Sequence, residues 1–421
     1  MQEVLVNERI IDNRIEEYRE ELRDIVNIVK ELRGKHNGRQ TSWMEPAEWH
    51  LKYSNINKKP ELALTITLSP TGCEWAQQGG CTMCGEFEGS YKETILIKDP
   101  KFHIAQFAMA IGDPQIWAAA KAEKCDISWL RINQEGNFFN EAEMNRTAQY
   151  AILNLATHIC GLKKITVESR PQYLTEEVIL NISKIFKDNG IKFEIGMGLE
   201  AKNEIIRNVC INKQEKNSDF VRAVSLLKQY GISPLAYIII KPPFLTEAEA
   251  IDEAVVTAHF AHEIGFERIS FEPMSIHPYT LVDALRQTGD YHAPWLWSVV
   301  EIAKRCADIS DIVGIGGVGY YPIPSSYAHN YCNIEKDCDE RFLNAIMEYN
   351  RTRDTSIFKN LSCECKSEWE KVCAYSSETL KDRIKTQINR VKCILPHYVA
   401  VEDDKAGNMR SIRIITGGSQ L

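Results

Sequence analysis

Between residues 62 and 273 the chain alternates two kinds of segment in a rhythm that few folds satisfy. The first kind is a short apolar or β-branched run: LALTITL (62–68), DISWLRI (126–132), KITVES (164–169), KFEIGM (192–197), PLAYIII (234–240) and RISFEP (268–273). The second is an amphipathic stretch, at about 140–159, 175–188, 218–229 and 247–264. Runs that are apolar almost throughout are buried on both faces, as in a parallel sheet, and the intervening stretches have the period of covering helices. Six such units suit an open or partial (β/α) barrel, whose chemistry is carried by loops at the C-terminal ends of the strands.

The flanks are different. Residues 9–33 read as an amphipathic helix, with Ile11, Ile15, Tyr18, Leu22, Ile25, Val29 and Leu32 recurring at threes and fours, and are expected to cap the main domain. After about residue 311 the rhythm gives way to DIVGIGGVGYYPIPSSYAHNYC and a cysteine-dense remainder. This divides the chain into a helical extension (1–55), a barrel (56–310) and a cysteine-rich C-terminal domain (311–421), with the boundary near 308–325. At 421 residues and 44% apolar content there is ample material for one large barrel and an appendage.

No run of eighteen apolar residues occurs, so no membrane span is expected, and the charged N-terminus lacks the apolar core of a signal peptide. The protein is therefore read as cytosolic, where thirteen cysteines serve as metal ligands or packing and not as disulfides. A net charge of −8 argues against a generally basic nucleic-acid-binding surface, although a local basic patch is compatible with it.

Three of the cysteines share one loop, GCEWAQQGGCTMCGE (72–86), directly after the first expected strand. Cys73, Cys81 and Cys84 are spaced Cys-x7-Cys-x2-Cys. Structural zinc asks for four ligands, so three would need a distant fourth. A redox dithiol normally opens a helix in a much smaller fold. Three thiolates on a 4Fe–4S cluster leave one iron open to a small molecule bound through an amine and a carboxylate. Gly79 and Gly80 let the chain bend around a bulky group. The open cluster is the favoured reading, with zinc behind it.

The other strand ends are polar in turn. QEGNFFNEAE (134–143) follows the second run, and its glycine would let backbone approach a ligand. Glu168 and Arg170 end the third, where a surface ion pair is the plain alternative, and Thr175 is placed to cap the next helix. Gly196, Gly198 and Glu200 end the fourth, Lys241 stands before Pro242 and Pro243 at the fifth, and Glu272 and His277 end the sixth. In the tail, Cys332, Cys338, Cys363 and Cys365 make a closed tetrahedral zinc site or an auxiliary 4Fe–4S cluster, with zinc preferred and Cys373 and Cys393 as spares. Cys125, Cys160, Cys210 and Cys306 are read as packing, as are Trp295 and Trp297.

The ordered set GCEWAQQGGCTMCGE, EGNFF, VESRPQYL, GMGLEAKNEIIR with INK, AYIIIKPPFLTEAEAI, PMSIHPYTLVDALRQTGDYHAPWLWSVVEI and AHNYC…C…CECKSEWE resembles the radical S-adenosylmethionine (SAM) superfamily. Within it, the branch is the one related to the Elongator catalytic subunit, nearest to the archaeosine synthase radical SAM subunits. The cysteine spacing is longer than the common Cys-x3-Cys-x2-Cys but similar to that of these relatives. The resemblance implies a partial (β/α)6 TIM-like barrel with an N-terminal helical cap and a small cysteine-rich C-terminal region.

It also implies roles. Cys73, Cys81 and Cys84 would ligate three irons, and SAM would chelate the fourth through its amino and carboxylate groups. Met83 would lie near the adenine. Gln134, Glu135 and Gly136 would meet the SAM amino group, Glu168 and Arg170 the ribose or methionine moiety, and Gly198 and Glu200 would complete the SAM side. Reductive cleavage of SAM would yield a 5′-deoxyadenosyl radical that abstracts a substrate hydrogen. Tyr237, Lys241, Glu272 and His277 are the candidates for the substrate side, with a rim salt bridge as the alternative for Lys241. The implied substrate is a lysine-modified 7-deazaguanine in tRNA, cleaved at a C–N bond. A small molecule or peptide is the second reading. A flavodoxin- or ferredoxin-type electron donor is the implied redox partner, and no membrane partner is expected.

Overall fold

The computed structural model describes residues 15–36, 47–56, 59–68, 72–85, 87, 99–134, 136–187, 189–317, 326–375, 378–400 and 414–415. One sheet organises the molecule. Its strands are β1 (Glu48–Ile56), β2 (Lys59–Thr67), β3 (Ile127–Asn133), β4 (Lys164–Glu168), β5 (Lys192–Gly198), β6 (Ser233–Ile240), β7 (Arg268–Pro273), β8 (Val313–Ile315) and β9 (Ile414–Ile415). They lie in the order β8-β7-β6-β5-β4-β3-β2-β1-β9. From β2 to β8 each strand runs parallel to the next. β1 turns back antiparallel on β2 and carries β9 beside it. The expected six-strand partial barrel is therefore present as β2–β7, widened at both edges.

The helices are α1 (Arg19–Gly34), α2 (Glu74–Gln77), α3 (Pro100–Ile111), α4 (Pro114–Ala122), α5 (Arg146–Ala156), α6 (Glu176–Phe186), α7 (Asn217–Gln229), α8 (Glu247–Ile264), α9 (Leu281–Gln287), α10 (Leu296–Arg305), α11 (Cys338–Thr352), α12 (Lys366–Ala374) and α13 (Leu380–Ile394). Their ends follow local chemistry. Thr175 caps α6 by accepting from the Val178 amide. Thr246 and Glu249 form a reciprocal box at the start of α8, and left-handed Gly265 ends it. None of the helices among the described residues is long and apolar enough to cross a membrane.

Two apolar cores form among the described residues. The larger joins the outer face of the sheet to α3–α8 and α10, and includes Trp295 and Trp297, as expected of packing residues. It also takes in Phe342, Ile346, Tyr349, Phe358 and Cys365. The C-terminal region is thus built against the barrel, and the boundary expected after 310 falls just before β8. There Tyr349 donates to the Val313 carbonyl and Asn350 brackets Ile315. The second core packs Ile25, Ile28, Val29 and Leu32 of α1 against Ile384, Ile388 and Val391 of α13, with Leu281 and Leu285 of α9.

Ion pairs on the concave face reach to the neighbouring strand and past it. Near its N-terminal end the Glu194 carboxylate of β5 takes Lys164 of β4 (2.7 Å) and Arg268 of β7 (2.6 Å). Both cations lie over the ring of Trp129. Burial would raise the Glu194 carboxyl, but Arg268 and Lys164 outweigh it and hold the group far below the usual carboxylate range. Glu194→Ala leaves two buried cations uncompensated and is expected to lower stability by about 3–5 kcal/mol at pH 7. Because the folded-state pKa is depressed, that contribution is fully present above the ordinary carboxyl pKa of 4.5 and is lost progressively as pH falls from there toward the much lower folded-state value. Urea denaturation of both proteins at pH 7 and pH 4 checks this, and the gap between them should narrow at the lower pH.

Candidate active site

The cysteine loop follows β2 and turns through α2, with Cys73 at the helix N-cap. Gly79 and Gly80 take φ of +125° and +72°, which a side chain would resist, so their role in bending the loop is met. Buried Thr82 fastens the middle: its hydroxyl donates to the Cys210 carbonyl (2.7 Å) and its amide to that of Ile211 (2.9 Å). Those carbonyls belong to a single π-helical turn, Ile206–Cys210, and the residue after it. Asn212 adds a bond to the Gly80 carbonyl (2.8 Å) and accepts from the Trp75 indole (2.8 Å). Met83 packs toward the α1–α13 core.

Arg33, at the end of α1, is 1% exposed. Its guanidinium donates to the carbonyls of Gly79 (2.6 Å), Cys81 (2.8 Å) and Cys84 (3.4 Å). A Cβ on Gly80 would collide with it.

The next strand ends converge on this loop. A Cβ on Gly136 would collide with the buried Glu143 carboxylate. Glu143 accepts from Asn137, from Asn140 (2.9 Å) and from the Glu74 amide (3.0 Å), so it ties the β3 loop to the first turn of the cysteine loop. Burial pushes its carboxyl above the usual range. Gln134 is 7% exposed, and neither atom of its amide has a partner among the described residues. Such an amide is costly unless a ligand satisfies it. Glu135 lies outside the described residues.

Glu168 and Arg170 do not pair with each other. Glu168 accepts from the Tyr237 hydroxyl (2.7 Å). Arg170 bonds Glu215 (2.5 Å) and the Lys213 carbonyl, with its guanidinium against the Trp75 ring. Glu200, at φ +61°, pairs with Lys213 (2.8 Å), and Gly198 leaves the room that this pair occupies. Burial would lower the Lys213 ammonium, but Glu200 and Glu215 hold it above its ordinary value.

The expected substrate-side residues separate into three places. Tyr237 and Glu272 face the barrel lumen with Arg131 of β3, which donates to the Tyr237 hydroxyl (3.4 Å). Gly196 and Gly316 clear space for Tyr237 and Glu272 respectively. Among the described residues Glu272 accepts only from Ser270 (2.7 Å), burial raises its carboxyl, and the Arg131 Nε is unpartnered. His277 lies instead against Gly85, beside the cysteine loop, with Ser275 2.8 Å from its Nε2. Lys241, at φ +66°, is 4% exposed and pairs with Glu247 (2.8 Å) and His292 (3.0 Å). This is a buried pair in the wall, where a rim salt bridge was the alternative.

The wall continues into the C-terminal region. Glu247 also accepts from Ser298 (2.6 Å), which accepts from the Trp369 indole (2.8 Å). Beyond lie Cys332, Cys338, Cys363 and Cys365, with all four sulfurs within 4.8 Å of one another. Cys332–Cys363 and Cys338–Cys365 approach to 3.5 and 3.8 Å. Donors point at the sulfurs: Trp297 Nε1 at Cys365 (3.4 Å), Asn330 Nδ2 at Cys338 (3.3 Å) and the Glu335 amide at Cys332 (3.3 Å). Cys373 is half-buried and Cys393 exposed. Of the four packing cysteines, Cys210 and Cys306 are buried and Cys125 partly so, but Cys160 is exposed, because the turn after α5 carries it outward.

No protein-family profile matches the chain. Archaeosine synthase subunit beta of Methanosarcina acetivorans is 30% identical over 351 residues, which is 82% of this chain and 94% of that protein. The chain belongs to this family. It is a radical SAM enzyme of the archaeosine synthase-like kind. The subunit of the same name from Thermococcus kodakarensis is 29% identical, over 75% of this chain and 93% of its own. An uncharacterised protein of Methanocaldococcus jannaschii is 32% identical, over 73% of this chain and 80% of its own. Among solved structures, Elp3 of Methanocaldococcus infernus aligns with a TM-score of 0.41 at 13% identity, over 63% of this chain and 60% of that one.

Several residues that the fold brings to this site went unassigned from sequence. Lys213 and Glu215 lie in or beside the quoted INK segment and His292 within GDYHAPW, so their motifs were visible without their roles. Glu143 closes the quoted 134–143 string. Arg33 had no signal beyond being a basic residue at the end of an apolar helix face.

Proposed function

We propose that the chain cleaves a C–N bond in a lysine-modified 7-deazaguanine of tRNA, the archaeosine-type reaction. The observation that carries this reading is the match to the Methanosarcina acetivorans subunit, which spans 94% of that protein. The name "subunit beta" adds a partner subunit, and a flavodoxin- or ferredoxin-type donor would supply electrons.

The residues present fit the cofactors. Cys73, Cys81 and Cys84 would hold three irons of a 4Fe–4S cluster. Among the described residues they are not a set converging within 4.8 Å, as ligands of one ion would be. SAM on the fourth iron would supply the 5′-deoxyadenosyl radical. Gln134, with its unpartnered amide, and Gly136, with its bare backbone, would receive the methionine amino group. The Arg170–Glu215 and Glu200–Lys213 pairs would form its polar wall. Arg131, Tyr237, Glu168 and Glu272 would bind the substrate in the lumen and keep water from the reacting carbon.

The C-terminal site would hold zinc. Tetrahedral Zn–S bonds of about 2.3 Å put sulfurs roughly 3.8 Å apart, close to the Cys332–Cys363 and Cys338–Cys365 separations of 3.5 and 3.8 Å. An auxiliary cluster sets each thiolate on a different iron, and so farther apart.

The test is an anaerobic assay of cluster-reconstituted protein with SAM and a strong reductant, with and without tRNA bearing the lysine-modified base. An amidine nucleoside formed together with tRNA-dependent 5′-deoxyadenosine is the expected result. 5′-Deoxyadenosine that ignores tRNA would move the search to small molecules and peptides. In the same assay, Glu272→Gln should lose about 1.5–3 kcal/mol of substrate interaction, roughly ten- to a hundredfold in kcat/KM. Its SAM cleavage without substrate should stay at the wild-type level. An equal loss in both would place Glu272 on the SAM side.

A further inference from the structure

We infer that Arg33 is a positioning residue for the iron–sulfur cluster, and that its charge holds the cluster's reduction potential up. The inference rests on the cluster reading of Cys73, Cys81 and Cys84. Its basis is the charge balance around the loop. Arg170 is neutralised by Glu215 at 2.5 Å and Lys213 by Glu200 at 2.8 Å. Arg33 has no carboxylate partner among the described residues, and its Nε is unpartnered. Its other contacts are the carbonyls of Gly79, Cys81 and Cys84 and the Phe87 ring, 4.8 Å from the guanidinium carbon. Two of those carbonyls belong to Cys81 and Cys84, which would ligate the cluster.

Burying an unpaired cation is costly unless an anion compensates it. A 4Fe–4S core with three thiolates is anionic and gains one further negative charge when it accepts an electron. The cation therefore favours the reduced state, and low dielectric and lack of screening strengthen the effect. The planar fork spans successive carbonyls in a way that a lysine ammonium does not. Arg33 thus has two separable roles: its fork shapes the loop, and its charge sets the potential.

The experiment is an EPR-monitored redox titration of anaerobically reconstituted full-length protein, with iron content measured in parallel. Arg33→Gln should lower the reduced-to-oxidised ratio at a fixed poise about tenfold, which for one electron is 59 mV. Arg33→Lys, which keeps the charge and loses the fork, should retain the wild-type potential while holding less iron. Where Arg33→Gln fails to load, Gly80→Ala is the second reading: its methyl meets both the guanidinium and the Ala76 backbone, and the guanidinium, the far end of a flexible side chain, gives first, so the potential should fall. A wild-type potential in loaded Arg33→Gln, or in Gly80→Ala where Arg33→Gln does not load, would overturn the electrostatic role. An equal fall in Arg33→Gln and Arg33→Lys would also overturn it. Wild-type protein that takes up no cluster would instead sink the underlying reading of the three cysteines.

Discussion

Cys81→Ala should give a folded protein that retains almost no 4Fe–4S cluster and makes 5′-deoxyadenosine only at background. Folding should survive because the loop is held by groups other than the thiol. Thr82 anchors it to Cys210 and Ile211, Asn212 holds the Gly80 carbonyl, and Arg33 holds those of Gly79 and Cys81. Removing one of three ligands leaves two thiolates for a group that needs three protein contacts beside its open iron. The measurements are iron per chain, the visible absorbance of the reconstituted protein, and SAM cleavage under reductant, with circular dichroism to confirm the fold. A Cys81→Ala protein that keeps its iron and cleaves SAM would remove the loop from the active site. The same substitution at exposed Cys160 should change none of these.

Cys365→Ala has a different and equally large expected effect, on stability and metal content. The Cys365 side chain is 3% exposed and packs in the main core with Trp297. Its loss should take bound zinc from one per chain to none and lower stability on the order of 4–5 kcal/mol, as loss of a metal does. Elemental analysis and thermal denaturation read the two effects, and a chelator should bring wild type toward the variant. The damage should also travel. Trp297 and Ser298 are adjacent on α10, and Ser298 holds Glu247, which holds Lys241 in the wall. Iron rising and falling with the four cysteines, at constant zinc, would favour the auxiliary cluster.

The barrel was legible because its strands are buried on both faces and its helices on one, and those demands are written in local periodicity. Each of the six expected runs became a strand within a few residues of its expected limits. The edges were not legible. β1 is a polar run, EWHLKYSNI, and β8 has three residues, so neither carries an apolar signature. α3 and α4 went unread, although Asp99-Pro100 and Asp113-Pro114 place a capping carboxylate before a proline at the first helical position. The site followed the same division. Residues that a strand end must present, such as Glu168, Glu200 and Glu272, could be named from position. Lys213, Glu215 and Arg33 could not, because they reach the site from segments brought near only by folding. Lys241 shows the limit most clearly: its place at the mouth was readable, but Glu247 and His292 turn it inward.

The packing of α1 on α13 sets an order of events in time. The helix that carries Arg33 is synthesised before the barrel, and the helix it rests on is synthesised after it. While residues 380–394 are still within the ribosome, α1 lacks part of the surface that seats it and the cysteine loop lacks its firmest clasp. A nascent chain stalled before α13 should therefore be a poor recipient of the proposed cluster.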